Sequence, residues 1–237
     1  MIVTNPLPPQ VDAALLSLLA GAEPATIGHF RHTGFMDPAI RGLSPDIRIA
    51  GTAVPVRVPG FDGTIIHYAL GQVRPGDVLV MDRCGDMRHA AFGGAACYAA
   101  RCAGVAGIIV DGMVTDLGEL RQHGVPVWAR GPSPITTKRL YQAGEFCVPI
   151  SCGGVAVRPG DAILADENGV LVIAPDEIEA AANRAIALQT AEKTTIARLT
   201  AGEKLPPRCS RSGWRKGDAL GCNRGTIPRL RSPRREK

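Results

Sequence analysis

The chain is poor in aromatic residues and has no long apolar run, and both shortages limit what it can be. Phe, Trp and Tyr make up 4% of its 237 residues, so aliphatic side chains and alanine have to fill any core. No apolar run reaches the roughly 18 residues that a membrane-spanning helix needs. The first apolar stretch has no basic segment before it, which argues against a secretory signal peptide. These features predict a cytoplasmic protein that does not bind membranes.

The seven cysteines form no pattern typical of a metal centre or a disulfide framework. None of them belongs to a CxxC pair, and no Cys/His group has zinc-finger spacing. Their apolar or glycine-rich surroundings favour small, reduced thiols. Cys84 and Cys152 each adjoin a glycine turn, so these two are the cysteines that we place near a possible site.

Positive charge is concentrated at the C-terminus. Residues 206–237 contain ten Lys/Arg and two Asp/Glu, a net charge of +8, whereas the whole chain carries +5, which leaves −3 on residues 1–205. The basic segment has no hydrophobic period, so we expect a disordered tail after a single domain over residues 1–205. A basic tail can bind nucleic acid through phosphates, but Trp214 is its one aromatic residue, and nucleic acid is not the partner that we expect.

Apolar runs alternate with helix-forming segments in the middle of the chain. Val78–Met81 and Gly107–Val110 are predicted strands, and the small residues 95–103 between them predict a helix that ends at Gly104. Strands joined in this way are almost always parallel, with a right-handed crossover. The sequence therefore predicts an α/β fold.

The same patterns predict further elements on both sides of this unit. Residues 157–174 predict a hairpin around an Asn-Gly turn, and Asp176 is expected to N-cap a long helix. The motif VRPGD occurs twice, each time before a strand, which indicates one turn used twice. The remaining predicted elements are a helix over 11–20, a short helix over 25–29, a strand over 47–58, a helix over 117–123 ended by a glycine, and a strand over 125–131.

The first candidate site is the start of the predicted helix, where Gly93, Gly94, Ala95 and Ala96 follow one another. The first N–H groups of a helix have no partner within it and carry partial positive charge. Small side chains let an anion approach these N–H groups closely. The alternative is that the glycines serve close packing.

The second candidate is a group of acids that follow the two predicted strands: Asp82, Asp86, Asp111 and Asp116. Ligands of parallel α/β sheets bind beyond the carboxyl ends of strands. Carboxylates there suit Mg²⁺ or Mn²⁺, which need only one or two of them. For Asp82 and Asp111 we favour turn caps instead. Asp116 follows its strand by way of a turn at Gly112, and its alternative is to N-cap the helix that comes after it.

The third candidate is a set of basic residues near these segments. Each basic side chain has the alternative of simple solvation at the surface. The set consists of Arg83, Arg88, His89, Arg121 and Arg130.

Several segments together resemble the class II pyruvate aldolases: GDVLVMD, FGGAA, GIIVDGMVTDLGELRQHGVPVWARG and VRPGDAILADENGVLVI. That family cleaves 4-hydroxy-4-methyl-2-oxoglutarate and 4-carboxy-4-hydroxy-2-oxoadipate, and it also includes the regulator of ribonuclease E activity A. The resemblance runs from about Ala25 to Leu205. It implies a layered α/β/β-type sheet with flanking helices, and an active site between the subunits of a homotrimer or hexamer.

The resemblance also implies roles for individual residues. Asp116 corresponds to the aspartate that holds the divalent metal, Mg²⁺ or Mn²⁺, partly through water. The N–H groups of residues 93–96 correspond to those that receive the carboxylate of pyruvate. The chain departs from the family pattern at Thr115, where an arginine contacts the substrate, and at Gly94, where a glutamate is frequent.

The implied function is a divalent-metal-dependent carbon–carbon lyase acting on a 2-oxo acid, by aldol cleavage to pyruvate or by oxaloacetate decarboxylation. Thr115 lacks the two-point contact that an arginine makes with a carboxylate, so either the substrate differs or the activity is lost. We expect Arg83 and Arg88 around the substrate and His89 as a proton-transfer group. The alternatives are a non-enzymatic protein–protein regulator and another reaction through the same enolate, such as sugar-acid dehydration.

Overall fold

The computed structural model describes residues 1–204, and the expected disordered tail lies outside the described residues. Residues Met1–Lys193 form one compact unit. In the described part, no helix has the length and apolar character needed to cross a membrane. The helices are α1 (Ala13–Ala20), α2 (Pro24–Gly28), α3 (Thr64–Leu70), α4 (Gly94–Ala103), α5 (Leu117–His123) and α6 (Ile178–Thr200), with a 3₁₀ helix at Pro175–Glu177. The strands are β1 (Ile2–Thr4), β2 (Arg41–Gly42), β3 (Ile49–Arg57), β4 (Asp77–Asp82), β5 (Ala90–Phe92), β6 (Gly107–Val114), β7 (Val127–Pro132), β8 (Gly144–Phe146), β9 (Ile150–Cys152), β10 (Val155–Val157), β11 (Ala162–Asp166) and β12 (Gly169–Ile173).

The sheet has four parallel strands at its centre, in the order β3-β4-β6-β7. Val78 of β4 pairs with Gly107 of β6, and α4 lies between these strands in sequence, so the predicted crossover unit is confirmed. The predicted hairpin is β11–β12, and β11 pairs antiparallel with β3. Short β5 pairs with the last residues of β6, which brings the segment before α4 beside the end of that strand.

Alternating side chains of the strands divide the interior into layers. In β4, Leu79 and Met81 pack with α3, α4 and α5, whereas Val78 and Val80 pack against the hairpin and β9–β10. The hairpin alternates in the same way, because its other face packs against α1, α2 and the first turns of α6. This two-residue period is what a strand buried on both faces requires. The order is helices, central strands, a second β layer of the hairpin with β9–β10, and helices, although the hairpin belongs to the same ten-stranded sheet as the central strands. This confirms the layered α/β/β-type fold with flanking helices.

The repeated VRPGD motif forms the same turn in both places. In each copy the aspartate side chain accepts the backbone N–H of the arginine three residues earlier at 2.8 Å, Arg74 with Asp77 and Arg158 with Asp161. The glycine before each aspartate has a φ of 84° or 91°, a conformation that favours glycine. Strands β4 and β11 lie in different layers, and both follow the same type of turn.

Two expectations about element ends are wrong. Asp176 does not N-cap the long helix, because it lies inside the 3₁₀ helix and α6 begins at Ile178. Gly112 does not form a turn, because β6 continues through it to Val114 with a register shift between Val110 and Met113. A side chain at Gly112 would lie 2.5 Å from Cγ of Arg83, so close packing explains this glycine.

A buried carboxylate anchors the connection between β7 and β8 to the start of α3. Asp62 accepts hydrogen bonds from the N–H and hydroxyl of Thr64 and from the N–H groups of Leu140, Gln142 and Ala143. Burial alone would raise the pKa of Asp62, but these hydrogen bonds outweigh it and hold the pKa well below its usual range. Asp62 therefore stabilises the fold in its ionised form.

We predict that Asp62→Asn lowers the free energy of unfolding by about 2–3 kcal/mol, because an amide presents two donors to a cluster of N–H groups. A carboxyl with a lowered folded-state pKa contributes stability above its unfolded pKa and loses it as pH falls. The difference between wild type and variant should thus shrink below about pH 4. Urea unfolding at pH 7 and pH 3 measures it, with exposed Asp176→Asn as the control; equal stability at pH 7 would contradict the prediction.

Candidate active site

The candidate site forms where the end of β6 meets the start of α4. The N–H of Thr115 donates to the carbonyl of Phe92 at 2.8 Å, so the residues after β5 and after β6 run side by side. Phe92 and Val114 are buried on these strands, which fixes the two backbones. Gly93 and Asp116 are the next residues along each segment. The sheet therefore brings together two of the predicted site segments.

Asp116 is held in an unusual backbone conformation. It has φ 55° and ψ 44°, a left-handed conformation that costs an ordinary residue about 1–2 kcal/mol and that Asp tolerates better than most. It occupies the N-cap position of α5, but its side chain makes no capping bond there. Instead its Oδ2 accepts the N–H of Gly94 at 3.0 Å, and its Oδ1 lies 3.3 Å from the Thr115 hydroxyl. The backbone thus directs this carboxylate toward α4.

Gly93 allows the carboxylate to come this close. A Cβ at Gly93 would lie 2.6 Å from Oδ2 of Asp116 and 2.6 Å from Cγ2 of Thr115. Both distances are shorter than real Cβ contacts, so any side chain at this position would displace one of the two residues. Gly93 is therefore needed for close packing, and the same close packing brings the Asp116 carboxylate to the start of α4.

The first turn of α4 offers N–H groups to an anion. The intrahelical pattern begins with the N–H of Cys97 donating to the carbonyl of Gly93 at 2.9 Å. The N–H of Gly94 is used by Asp116, which leaves those of Ala95 and Ala96 as the groups without a helical acceptor. Ala95 is exposed, so a small carboxylate has access to this turn.

Glu119 is a site residue that the sequence reasoning missed. A Cβ at Gly94 would lie 1.7 Å from Oε2 of Glu119, so the Glu119 carboxylate fills the space where a side chain of residue 94 would begin. The signal was present in the sequence, because Glu119 is three residues after Asp116 in a predicted helix, and residues at that spacing lie on one face. Two carboxylates, from Asp116 and Glu119, therefore border Gly94.

The other acids at the strand ends have structural partners. Asp82 and Asp111 are paired neighbours on β4 and β6, yet neither reaches Asp116 through a hydrogen bond. Asp82 caps a turn by accepting the N–H of Cys84 at 2.7 Å, as the favoured alternative predicted. Asp111 does not cap a turn: it pairs with Arg130 and accepts the N–H of Gly153 at 2.7 Å.

Three of the five basic candidates, Arg83, Arg88 and His89, lie on the loop before β5, whereas Arg121 lies in α5 and Arg130 in β7. Arg83 is fully buried, and its guanidinium donates to the carbonyls of Val58 and Gly60 and to Asp86. Its Nε is the one buried side-chain nitrogen or oxygen without a partner in the described part of the chain. His89 places Nδ1 2.8 Å from Oδ2 of Asp86.

Asp86 is the centre of that cluster. Burial alone would raise the pKa of its carboxyl, but hydrogen bonds from the N–H groups of Arg88 and His89 and from the His89 ring outweigh burial and lower it. An ionised Asp86 orients the His89 ring through Nδ1. Among the described residues, no hydrogen bond or ion pair joins this cluster to Asp116, so substrate binding by Arg83 and Arg88 and catalysis by His89 stay predictions.

The carboxylate oxygens that lie beside Gly94 suit a hard divalent cation. The described residues contain no set of three or more His, Cys, Asp or Glu side chains placed to enclose a metal ion. Mg²⁺ does not require one, because it keeps several waters and is commonly bound through one or two carboxylates together with its substrate. Asp116 and Glu119 provide two such carboxylates next to the free N–H groups of α4.

Comparison with known proteins identifies a family and several relatives. The family model described as RraA-like, Aldolase/RraA, matches residues 13–172. A protein of Halalkalibacterium halodurans named putative 4-hydroxy-4-methyl-2-oxoglutarate aldolase is 37% identical over 134 residues, 56% of this chain and 63% of the relative. A Burkholderia multivorans protein of the same name is 39% identical over 59% of this chain and 84% of its own length. The match thus spans less than two thirds of the first of these relatives.

A solved structure shares the fold over most of both chains. Streptomyces coelicolor RraAS2, described as an unusual member of the RNase ES inhibitor RraA protein family, superposes with a TM-score of 0.69 at 26% identity. The likeness covers 78% of this chain and 96% of that one.

We predict that Gly93→Ala destabilises the protein by about 1–3 kcal/mol, because the added methyl group has to displace Asp116 or Thr115. The matched control is Gly118→Ala in α5, where a Cβ would have nothing within 4 Å. Alanine favours a helix over glycine, so the control should be as stable as wild type or more so, by up to about 1 kcal/mol. Chemical unfolding measures both, and a neutral Gly93→Ala would show that the contact between the segments is looser than described.

Proposed function

The chain belongs to the Aldolase/RraA family, and we propose that it is a divalent-metal-dependent carbon–carbon lyase that acts on a small 2-oxo acid. The observation that carries this proposal is the position of the Asp116 carboxylate, bonded to the first N–H of α4. In the proposed site, Asp116 is the cation ligand and lies beside the turn that receives the anion. A 2-oxo acid needs both, since it presents a carboxylate and a carbonyl oxygen to the protein.

Different residues of the chain bind the substrate carboxylate and the cation. The N–H groups of Ala95 and Ala96 receive the carboxylate, since they belong to the first turn of α4 and lack helical acceptors. Asp116 and Glu119 hold the cation, Mg²⁺ or Mn²⁺, in the proposed site. When bound, the cation acts as a Lewis acid that stabilises the negative charge developing on the 2-oxo acid.

The reaction balances without any redox partner. In aldol cleavage the C4 hydroxyl loses its proton, the C3–C4 bond breaks, and a carbonyl forms at C4. The electron pair of that bond stays with the three-carbon half, which takes a proton at C3 and becomes pyruvate. In oxaloacetate no hydroxyl proton is lost: the C3–C4 bond breaks, the C4 carboxylate departs as carbon dioxide, and C3 takes a proton to give pyruvate.

Thr115 restricts which substrates fit. Its hydroxyl contacts Asp116 and its N–H donates to the carbonyl of Phe92. Thr115 is therefore part of the site, but its side chain carries no positive charge. A substrate whose second carboxylate needs a guanidinium partner loses a charged hydrogen bond there, worth about 1.5–3 kcal/mol. We therefore propose that oxaloacetate, which releases its second carboxylate as carbon dioxide, is turned over more readily than 4-hydroxy-4-methyl-2-oxoglutarate.

A non-enzymatic regulator is the second candidate. Two observations favour it. Residue 115 is a threonine where the family pattern has an arginine, and the fold superposes on a member of the RNase ES inhibitor family. A regulator of that type acts through its surface and has no need of a cation at Asp116. Assembly as a homotrimer or hexamer, with a site between subunits, is proposed for either function.

We predict pyruvate release from oxaloacetate with Mg²⁺ or Mn²⁺, loss of release with EDTA, and a reduction of at least about 100-fold in Asp116→Asn. Asparagine suits this substitution, because it keeps the volume, tolerates the left-handed backbone and still accepts the N–H of Gly94. The assay couples pyruvate to lactate dehydrogenase, with 4-hydroxy-4-methyl-2-oxoglutarate as a second substrate.

The control is Asp176→Asn, which removes an exposed carboxylate on the 3₁₀ helix. Metal-dependent release that survives Asp116→Asn would place the chemistry elsewhere. Absence of both metal binding and turnover in the wild-type protein would favour the regulator.

A further inference from the structure

A cavity of about 300 Å³ lies between α3, β1 and the connection from β7 to β8. Its apolar walls come from Ile2 of β1, from Ile65 and Tyr68 of α3, and from Tyr141 of the connection. No residue of the candidate active site lines it. Ile2 lies outside residues 13–172, which the family model matches, so a segment beyond the matched range completes this cavity.

Hydrogen bonds and packing hold the walls of the cavity in place. Tyr141 has a φ of 58°, and its N–H donates to the hydroxyl of Thr64 at 2.9 Å. The ring of Tyr68 meets that of buried Phe146 edge to face, with 5.3 Å between the ring centroids. Strand β1 is fixed by its parallel pairing with β8. The cavity is therefore formed in advance, as small-molecule sites usually are.

The rim of the cavity carries positive charge that no acidic side chain compensates. Arg139 and His67 line the cavity, and no Asp or Glu does. In the part of the chain that the structure describes, neither of the two forms a salt bridge. Burial lowers the pKa of His67, and the positive charge of Arg139 lowers it further. An anionic group on a ligand would compensate the charge of Arg139.

We propose that this cavity binds a small aromatic monocarboxylate, with its ring against Tyr68 and Tyr141 and its carboxylate on the guanidinium of Arg139. Tyr141 is 71% exposed, so its ring is free to pack against another ring. A guanidinium binds a carboxylate through two parallel hydrogen bonds. The size of the cavity suits a small molecule, because a stable protein partner needs about 800 Å² on each side. This site is independent of the proposed lyase, since it uses neither Asp116 nor α4.

Phenylacetate and phenylacetamide test the proposal, because the two molecules have the same shape and differ in charge. Titrations of the full chain followed by saturation-transfer difference NMR give the Kd of each. For a ligand of this size we expect a Kd of about 1 mM for phenylacetate. Phenylacetamide should bind roughly 10-fold more weakly, since it has no charge to offer Arg139.

Substitutions assign the binding to this cavity. Arg139→Gln removes the charge, and it should weaken phenylacetate roughly 10-fold while phenylacetamide stays within about two-fold of its wild-type affinity. Tyr141→Asn removes the ring with a residue that tolerates the left-handed backbone, and it should weaken both ligands about 5-fold. The matched control is Arg158→Gln, which removes another exposed arginine, on the turn before β11, and should leave both affinities unchanged.

Several results would overturn the proposal. Equal binding of the two ligands, or no binding at about 10 mM, would show that the cavity does not select a carboxylate. Phenylacetate binding that survives Arg139→Gln would place the ligand elsewhere, for example at the first turn of α4. If Tyr141→Asn changes the oligomeric state in sedimentation velocity, the cavity is covered by a second copy of the chain. Loss of pyruvate release, by contrast, bears on the lyase alone.

Discussion

The hydrogen bond from the N–H of Gly94 to Asp116 is the contact on which the candidate site depends. It joins the start of α4 to the turn after β6, and it turns a carboxylate away from its own helix toward a neighbouring one. The bond requires a left-handed Asp116 and a glycine at 93, since neither an ordinary backbone nor a side chain would fit. Strain of this kind persists where the surrounding structure holds it, here the pairing of β5 with β6.

The layers of the fold fix the backbone around that contact, while the side chains of the candidate site stay exposed. Central strands are buried on both faces, so the ends of β4 and β6 have fixed positions. Their other acids serve the scaffold: Asp111 ties Arg130 to the turn at Gly153, and Asp86 holds Arg83 and His89. Asp116 and Glu119 differ from them, because both are exposed and neither is in an ion pair in the described part of the chain.

Sequence patterns were sufficient for the elements whose signal is local. The apolar runs of β4 and β6, the small residues of α4 and the Asn-Gly hairpin all predict what the structure contains. The short strands β1, β2, β5 and β8 were missed, because two or three residues carry no period and pair only through distant partners. Strands β9 and β10 were missed because they are equally short, although they pair with each other across Gly153 and Gly154. Asp116 and residues 93–96 were predicted from strand ends and the resemblance, and the structure brings Asp116 into contact with Gly94. Glu119 was not, since its contact with Gly94 depends on how α5 packs against α4.

A crystal structure of the protein with Mn²⁺ and oxalate, a non-reacting analogue of a 2-oxo acid enolate, tests the central claim most directly. Anomalous scattering identifies Mn²⁺ without reference to its surroundings. The proposed site predicts one strong anomalous peak within metal–oxygen bonding distance of the Asp116 carboxylate or of a water that it holds. Oxalate should lie against the N–H groups of Ala95 and Ala96. A peak at another cluster, or none at concentrations that support turnover, would contradict it.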